Sequence, residues 1–413
     1  MRFTLLFAVL ALSAAARAQT LTLDQALELA ESRSPQLAAQ RAAAEAAAAV
    51  VPSAGENPDP RLIVGVENVP VDGGDKWSLT SDSMTMRRIG VMQDFVRGEK
   101  RDLREQRASA EARREAALVE MERADLRRDV ATAWFERYFA ERAQAQLQRL
   151  AREADLQLDV AGAEVASGKA LAAEGLAARS LRATLADRQL EAEQKARRAT
   201  AMLARWLGAE ASRPLGDPPA YRELHTHHSG ALEANLEDHP HLAMYAPMEA
   251  AAEADLKLAS AATKPDWSVE LSYGARGSAY TNMVSVMFRM DLPIFESRRQ
   301  GPNAAAKAKQ LEQVRAQAED ARQRHTAEIR TGVVDWEIAR SRLERHERDL
   351  VPLAEERAKA ATAAYEGGRS DLGATLEARR NVIESKLAAL GAELELARAW
   401  AQLAFLVPER KQP

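Results

Sequence analysis

The side chains in this sequence best suited to metal chemistry are histidines, and five of the seven lie between positions 225 and 241. Imidazole ligates zinc and copper, so a cluster at this spacing could bind either ion. The segment is also polar and loop-like, and no neighbouring group that would orient the rings can be identified. The sequence therefore favours a loop cluster without metal and leaves weak candidate ligands at His225, His227, His228, His239 and His241.

Other chemistry is largely excluded by composition. The chain has no cysteine, which rules out a disulfide framework, a thiolate metal site and a cysteine nucleophile. It contains no phosphate-binding glycine loop, no HExxH and no GxSxG motif. The formal charge of −4 is nearly balanced and has no basic stripe for nucleic acid. The sequence predicts neither an enzyme, nor a cofactor, nor a nucleic-acid partner.

The first 18 residues have the form of a secretory signal peptide. Arg2 precedes an apolar run from Phe3 to Ala15, and Ala16-Arg17-Ala18 supplies a small-x-small cleavage site. A non-secreted amphipathic N-terminus is the alternative. Farther along, the sequence lacks an apolar run of about 18 residues and predicts no transmembrane helix.

The remaining sequence contains two similar halves. Matching segments of the two halves are about 200 residues apart, which is roughly the length of one domain. Trp134 corresponds to Trp336, and the order of matching segments is preserved. We therefore predict a first repeat over 19–207, a linker or equatorial segment over 208–230, a second repeat over 231–407 and a tail over 408–413.

Each repeat is predicted to contain a helix, a β-hairpin, a long helix and a further helix. The hairpins cover about 61–95 and 266–294, and the long helices about 100–166 and 300–366. A helix of about 65 residues is roughly 100 Å long, far beyond a globular core helix. The expected architecture is a rod of helical hairpins, with a kink at Pro352.

Small and apolar residues follow two seven-residue strides along the first long helix. One stride includes Val119 and Leu126, and the other includes Leu103 and Ala110. An offset of two positions places the two strides on opposite faces of the helix. The helix should therefore pack against another helix on each side, as helices do in a closed cylinder. A flat helical layer or a solenoid is the alternative.

The predicted strands alternate apolar and polar residues over about ten positions, which suits strands that cross a bilayer at a tilt. Such alternation is also common in soluble, half-buried strands. Four strands are too few for a membrane barrel, which needs about eight, whereas three copies supply twelve. Candidate lumen residues on the polar side are Met287, Arg289 and Asp291. Four methionines on that side could contact monovalent copper or simply fill space: Met86, Met92, Met283 and Met287.

Several ordered motifs resemble the TolC-type outer-membrane efflux factors. They are Asn57-Pro58-Asp59-Pro60, the run from Gln93 to Arg101, Asp291-Leu292-Pro293-Ile294-Phe295 and Leu350-Val351-Pro352. The motifs are most similar to the branch that serves heavy-metal pumps of the cobalt-zinc-cadmium and copper-silver type. The resemblance implies a homotrimer with a twelve-stranded β-barrel in the outer membrane and a twelve-helix tunnel that places most of the mass in the periplasm.

The same resemblance implies partners for the helix-turn tips. These would dock a periplasmic adaptor, or membrane fusion, protein that links the duct to an inner-membrane resistance-nodulation-division transporter. The tip residues are Ser167, Gly168, Lys169, Gly367, Gly368 and Arg369.

Relatives of this type carry rings of acidic residues just beyond the second tip. Here Glu377 occupies one such position, while the other is Ala374, whose counterpart in the first repeat is Glu174. Asp371 is a third candidate at the same turn. Three copies of each carboxylate around a threefold axis would attract cations. The plainer interpretation is a solvated helix face.

The predicted fold class is mainly α with a small β part, and the predicted function is a passive exit duct, with heavy-metal cations as the expected cargo. Alternatives are a periplasmic adaptor of an efflux pump, or the same duct serving organic drugs or type I secretion. An adaptor usually has one helical hairpin and compact β domains, whereas this sequence predicts two hairpins of helices. A structural coiled-coil scaffold is a third possibility, against which the alternating strands argue.

Overall fold

A computed structural model describes residues 20–167, 172–224, 236 and 239–406. The predicted signal peptide, the predicted tail over 408–413 and five named candidates lie outside the described residues: Gly168, Lys169, His225, His227 and His228. Within the described part of the chain, every helix is either too short or too polar to cross a membrane.

The observed order of elements is the predicted one, repeated twice. The first half contains α1 (Leu23–Arg33), α2 (Pro35–Ala54), β1 (Arg61–Glu67), β2 (Met86–Phe95), α3 (Gly98–Ala166), α4 (Ala172–Leu207) and a 3-10 helix (Gly208–Ser212). The second half contains α5 (Pro240–Ala243), α6 (Tyr245–Ala261), β3 (Trp267–Ala275), β4 (Met283–Met290), α7 (Gln300–Arg345), a π-helical turn (His346–Leu350), α8 (Val351–Glu366) and α9 (Leu372–Ala404).

The first predicted helix of each repeat is interrupted. The sequence predicts one continuous helix at the start of each repeat, but the chain leaves helical geometry at Ser34, where φ is −66° and ψ is 113°. Pro35 causes this break, because a proline disfavours helical geometry in the residue before it. In the second repeat α5 likewise begins at Pro240, and α6 follows directly from Met244.

Both long helices are confirmed. Helix α3 contains 69 residues. In the second repeat α7, the π turn and α8 follow one another without a break, and Val351 donates its N–H to the carbonyl of His346, five residues earlier. Pro352 has no N–H to donate to the preceding turn of the helix, and its ring crowds that turn. The wider π turn accommodates both effects.

Residues of both seven-residue strides along α3 are buried. Leu103, Ala110, Ala124 and Ala131 are buried on one stride, and Val119, Leu126, Ala133 and Leu147 on the other. Helix α3 is therefore packed along both predicted seams.

The described residues form two compact units, and each unit draws on both repeats. One unit contains the described residues up to 35, from 123 to 224 and from 327 to 406. The other contains 36–122 and the described residues from 236 to 326. The sequence repeats therefore do not coincide with the compact units, because corresponding parts of the two repeats fold together.

Within the first unit, the two corresponding tryptophans make the same contact. Trp134 donates its indole N–H to the carbonyl of Leu21 over 3.2 Å, and Trp336 donates to the carbonyl of Tyr221 over 3.3 Å. Both rings are buried. Each tryptophan therefore ties its long helix to a backbone carbonyl outside that helix, and the Leu21 carbonyl also accepts the N–H of Gly216 over 3.0 Å.

The described residues of the predicted linker, from 208 to 224, are packed against the first repeat. Leu21 pairs with Leu215 as an isolated parallel bridge, with the Leu21 N–H 2.7 Å from the carbonyl oxygen of Pro214. The buried Arg137 guanidinium donates to the carbonyls of Ala211 and Arg213. These contacts give the described residues from 208 to 224 a fixed course.

Candidate functional site

The four strands form one antiparallel sheet in the order β1-β2-β3-β4. The central pairing of β2 with β3 joins the hairpin of the first repeat to that of the second. Among the described residues, β1 and β4 each pair on one side only. Their outer edges therefore offer unpaired backbone groups that another chain can complete.

The register confirms that each strand has one apolar and one polar face. Val91 lies opposite Leu271, which in turn lies opposite Val286, and this row is apolar. The next row contains Met92, Glu270 and Met287. Apolar side chains remain uncovered, with Val286 72% and Val64 70% exposed. An apolar sheet face of this size is expected to contact lipid or another protein.

Aromatic side chains mark both ends of the apolar face. Phe95 stacks on Trp267 at a centroid distance of 4.2 Å, and Trp267 stacks on Phe288 at 5.6 Å. Tyr273 lies near the other end of β3, six residues farther along, which corresponds to about 20 Å of strand. Aromatic rings at both ends of an apolar band are typical of membrane-interface girdles.

On the polar face, one charged residue from each strand joins a continuous chain of ion pairs. Arg88 on β2 bonds both Glu67 on β1 and Glu270 on β3. Glu270 also lies 2.7 Å from a guanidinium nitrogen of Arg289 on β4. The Glu270 side chain is only 1% exposed, so its charge depends on these two arginines.

Two of the three predicted lumen residues, Met287 and Arg289, lie on this polar face. Asp291 falls just past the end of β4, where its N–H donates to the carbonyl of Asp266 over 3.1 Å. Arg289 contacts the Met92 sulfur at 3.1 Å. Because a guanidinium contacts this sulfur, and two guanidiniums contact the carboxylate beside it, the arrangement opposes copper binding at Met92.

The second tip is an exposed glycine turn between α8 and α9. Gly368 has a φ of +68°, which a residue with a side chain adopts only at a cost. The N–H of Arg369 donates to the carbonyl of Ala364 over 2.8 Å, and Gly367 bonds to Ala363 over 3.1 Å. These bonds satisfy the last carbonyls of α8 and fix the shape of the turn. In the first repeat the Ser167 N–H bonds to Ala163 in the same way.

The three candidate gate carboxylates have different surroundings. Asp371 is the N-cap of α9, and its side chain accepts the N–H of Ala374 over 2.7 Å. Glu174, from the first repeat, accepts the N–H of Leu372 over 3.3 Å. Both carboxylates thus accept hydrogen bonds from N–H groups at the N-terminus of α9 and stabilise the positive end of the helix dipole. Glu377 lies on the exposed side of α9 with Ala374.

Histidines from separate segments meet in the second unit. His239 Nδ1 lies 2.8 Å from His325 Nε2, and the His241 ring stacks on the His325 ring with centroids 5.7 Å apart. The sequence cluster did not include His325, which is 86 positions from His239. Among the described residues, no group of three or more His, Cys, Asp or Glu side chains has the arrangement of a formed metal site.

A polar cluster around the buried Glu393 carboxylate in the first unit was also missed from sequence. Tyr221 donates its hydroxyl to Glu393 over 2.6 Å, and Glu393 bonds Arg222 at 2.7 Å and Arg142 at 3.1 Å. Burial, followed by the hydrogen bond to Glu393, raises the pKa of Tyr221 above its ordinary value. This cluster ties Tyr221 and Arg222 to α3 and α9, and only the tertiary structure brings its members together.

Comparisons with known proteins find one family model and several solved structures that resemble this chain. Residues 231–407 match the family described as Outer membrane efflux protein. A membrane protein from Pseudomonas aeruginosa is similar with a TM-score of 0.81 and 17% identity, over 93% of this chain and 89% of that chain. The Campylobacter jejuni CmeC outer membrane channel gives 0.76 and 13%, over 93% and 85%. CusC, whose structures concern folding and transmembrane channel formation, gives 0.75 and 15%, over 94% and 92%. No curated protein sequence matches significantly.

These similarities establish the fold, which is that of the TolC-like channels: mainly helical, with a small four-stranded antiparallel sheet. The predicted fold class is therefore confirmed. The matched family is described as an outer membrane efflux protein, and CmeC is described as an outer membrane channel.

Proposed function

We propose that this chain is an outer-membrane efflux protein that conducts substrates passively from the periplasm to the exterior. The observation that carries this proposal is the sheet, with an uncovered apolar face bounded by aromatic rings and an opposite face held by ion pairs. Such a sheet suits a wall between lipid and water, because each face matches the solvent it meets.

The working assembly in this proposal is a homotrimer. A single sheet has four strands and is open at both edges, while a closed membrane barrel needs about eight strands. Three copies would provide twelve strands and pair every edge. The long helices of three copies would likewise complete a periplasmic tunnel, so most of the mass would lie in the periplasm.

The proposed partners are a periplasmic adaptor protein at the helix-turn tips and a resistance-nodulation-division transporter in the inner membrane. The fixed, exposed turn from Gly367 to Arg369 supports this assignment, because it presents a rigid surface with one positive charge. A docking surface that is already ordered avoids the entropy cost of ordering it on binding.

The proposed cargo is a heavy-metal cation, and the support for it is the resemblance of the ordered motifs to the heavy-metal branch. The same architecture would serve organic compounds equally well. The gate candidate Glu377 favours cations, since three copies would place three carboxylates around one axis.

The membrane assignment is tested by two substitutions on neighbouring residues of β4. Val286→Arg places a charge on the apolar face near the middle of the strand, and we expect it to cost about 2–4 kcal/mol and to deplete the trimer from outer-membrane fractions. Ser285→Arg places the same charge on the polar face and should leave the trimer intact. The measurement is heat-modifiable migration of the membrane-extracted protein. Equal behaviour of the two variants would refute the lipid-facing assignment.

The cargo is tested separately by deleting the gene and measuring growth inhibition by cobalt, zinc, cadmium, copper and silver salts, alongside dyes and detergents. Selective sensitivity to one metal group, restored by the intact gene, supports the metal-efflux proposal. Sensitivity to organic compounds alone would retain the duct and reject the metal cargo.

A further inference from the structure

The first compact unit contains a groove of about 530 Å³ between α3, α4, α8 and α9. Leu150 and Ile383 line it and belong to one hydrophobic cluster. Leu181 also lines it and packs against that cluster and against a second one nearer the tip, which contains Leu372 and Leu376. The groove therefore lies beside the junction of two core clusters, and its volume is within the range of about 300–1,000 Å³ that is usual for small-ligand sites.

The walls of the groove carry more positive than negative charge. Lys359 from α8 and Arg379 and Lys386 from α9 face it, together with two carboxylates of α8, Glu355 and Glu366. Lys386 pairs with Glu355 over 2.7 Å, so these two charges compensate each other. Glu366 lies at the tip end of the groove, about 10 Å along α8 from Lys359. Among the described residues, neither Arg379 nor Lys359 forms an ion pair.

Arg379 is the cation that the groove leaves without an acceptor. Its Nε is buried and has no hydrogen-bond partner among the described residues. Thr375, one turn closer to the tip, bonds the carbonyl of Ala361 over 3.3 Å, and this contact places Arg379 beside Ala358 and away from Glu366. A buried N–H donor without an acceptor is unfavourable, and more so when it belongs to a charged group.

We propose that this groove binds an organic anion with an apolar body, such as an alkyl carboxylate, sulfate or phosphate. The acidic group would accept hydrogen bonds from the guanidinium of Arg379, whose planar array of donors matches the oxygens of these groups. The apolar body would lie against Leu150, Leu181 and Ile383 and complete the packing between the helices.

Other classes of ligand fit the groove less well. An organic cation would find Glu355 already paired with Lys386 and would lie close to two uncompensated positive charges. A neutral apolar molecule would leave the Arg379 Nε without an acceptor, and a small inorganic anion would leave the apolar lining uncovered. An anion that is also apolar satisfies both parts of the groove.

This site goes beyond the proposed transport function, because the groove is formed by the helices of one chain and binding in it requires no conduction. A failure to bind would leave the membrane assignment intact, since that assignment is tested by the substitutions on β4. Conversely, the ligand site can exist whatever the cargo.

The test uses the purified full chain in lipid nanodiscs and three probes with the same eight-carbon chain: octyl sulfate, octanol and octyltrimethylammonium. Binding is measured by titration calorimetry, with the signal of empty nanodiscs subtracted. We expect saturable binding of octyl sulfate alone. Arg379→Gln should weaken it about tenfold, because one hydrogen-bonded charge pair is lost. Arg380→Gln is the matched control and should bind like the wild type, since Arg380 pairs with Glu384 outside the groove.

A second measurement locates the probe without changing any charge. The chain has no cysteine, so Ala358→Cys introduces a single thiol in the lining of the groove. Octyl sulfate should slow the alkylation of this thiol by an uncharged maleimide. In the control variant Ala177→Cys, the thiol lies on the exposed side of α4 outside the lining, and its alkylation rate should not change.

Three results would overturn the proposal. They are equal affinities of Arg379→Gln and Arg380→Gln for octyl sulfate, equal binding of octyl sulfate and octyltrimethylammonium by the wild type, and an unprotected thiol at position 358. Circular dichroism of each variant checks that it is folded, and the thiol measurement tests the site even if Arg379→Gln is not.

Discussion

Glu270 is the residue on which the ion-pair chain of the sheet depends most strongly. Its carboxylate is 1% exposed and bonds guanidiniums from the strands on both sides, Arg88 on β2 and Arg289 on β4. Arg88 has a second carboxylate in Glu67, whereas the ion pair of Arg289 is with Glu270. Removing the charge at position 270 therefore leaves two guanidiniums on one face with a single carboxylate.

We predict that Glu270→Gln lowers the free energy of unfolding by about 2–4 kcal/mol. The hydrogen bond that Arg88 donates to Glu270 contributes about 1.5–3 kcal/mol while the acceptor is charged and about 1 kcal/mol once it is neutral, and the ion pair with Arg289 is lost as well. Deleting one partner of a buried pair costs about 3–5 kcal/mol, and glutamine softens this loss because it keeps one oxygen acceptor. Screening by water offers little compensation at this degree of burial.

The assay is denaturant unfolding in detergent or lipid vesicles, followed by tryptophan fluorescence, since Trp267 lies on the same strand. Ser285→Ala, on the same face of β4, is the control and should change stability by less than about 0.5 kcal/mol. A double-mutant cycle with Arg289→Gln should show a coupling of about 1 kcal/mol or more. A Glu270→Gln effect within 0.5 kcal/mol of zero, or strict additivity in the cycle, would refute the reasoning.

Three further predictions concern the helical part of the chain. Tyr221→Phe removes the 2.6 Å hydrogen bond to the buried Glu393 and should cost about 1.5–3 kcal/mol. Because the folded pKa of Tyr221 is raised, its contribution is full below about pH 10 and is lost only as pH rises through the folded value. Denaturation at pH 7 and pH 9 should therefore give the same difference from wild type, and a smaller difference at pH 9 would contradict this. In planar bilayers, Glu377→Gln should reduce cation selectivity of the trimer, while Glu174→Gln, a helix-capping residue, should leave it unchanged; the reverse order would exchange their roles. Pro352→Ala restores an N–H to the π turn, so hydrogen exchange across 346–350 should slow, and unchanged exchange would assign the turn to another cause.

The sequence by itself determined the order of the elements and the lengths of the long helices and the strands. Alternation along β4 and the uninterrupted helical pattern of α3 are local signals, because side-chain direction repeats with the period of each element. The sequence also showed that Trp134 and Trp336 are equivalent, since a duplicated chain places equal residues in equal surroundings. The break at Ser34 was predictable in principle from Pro35, although the apolar pattern that runs across it suggested a single helix.

Only the tertiary structure decided which distant residues meet. The ion-pair chain across four strands depends on the register of β2 with β3, and a shift of one residue would turn Glu270 to the apolar face. Likewise, Glu174 reaches the N-terminus of α9, Tyr221 reaches Glu393, and His325 joins His239, although each pair is far apart in sequence. A sequence pattern fixes the face on which a side chain lies, because this follows from local geometry. The partner on that face is chosen by packing between elements, and this information is carried by the whole fold.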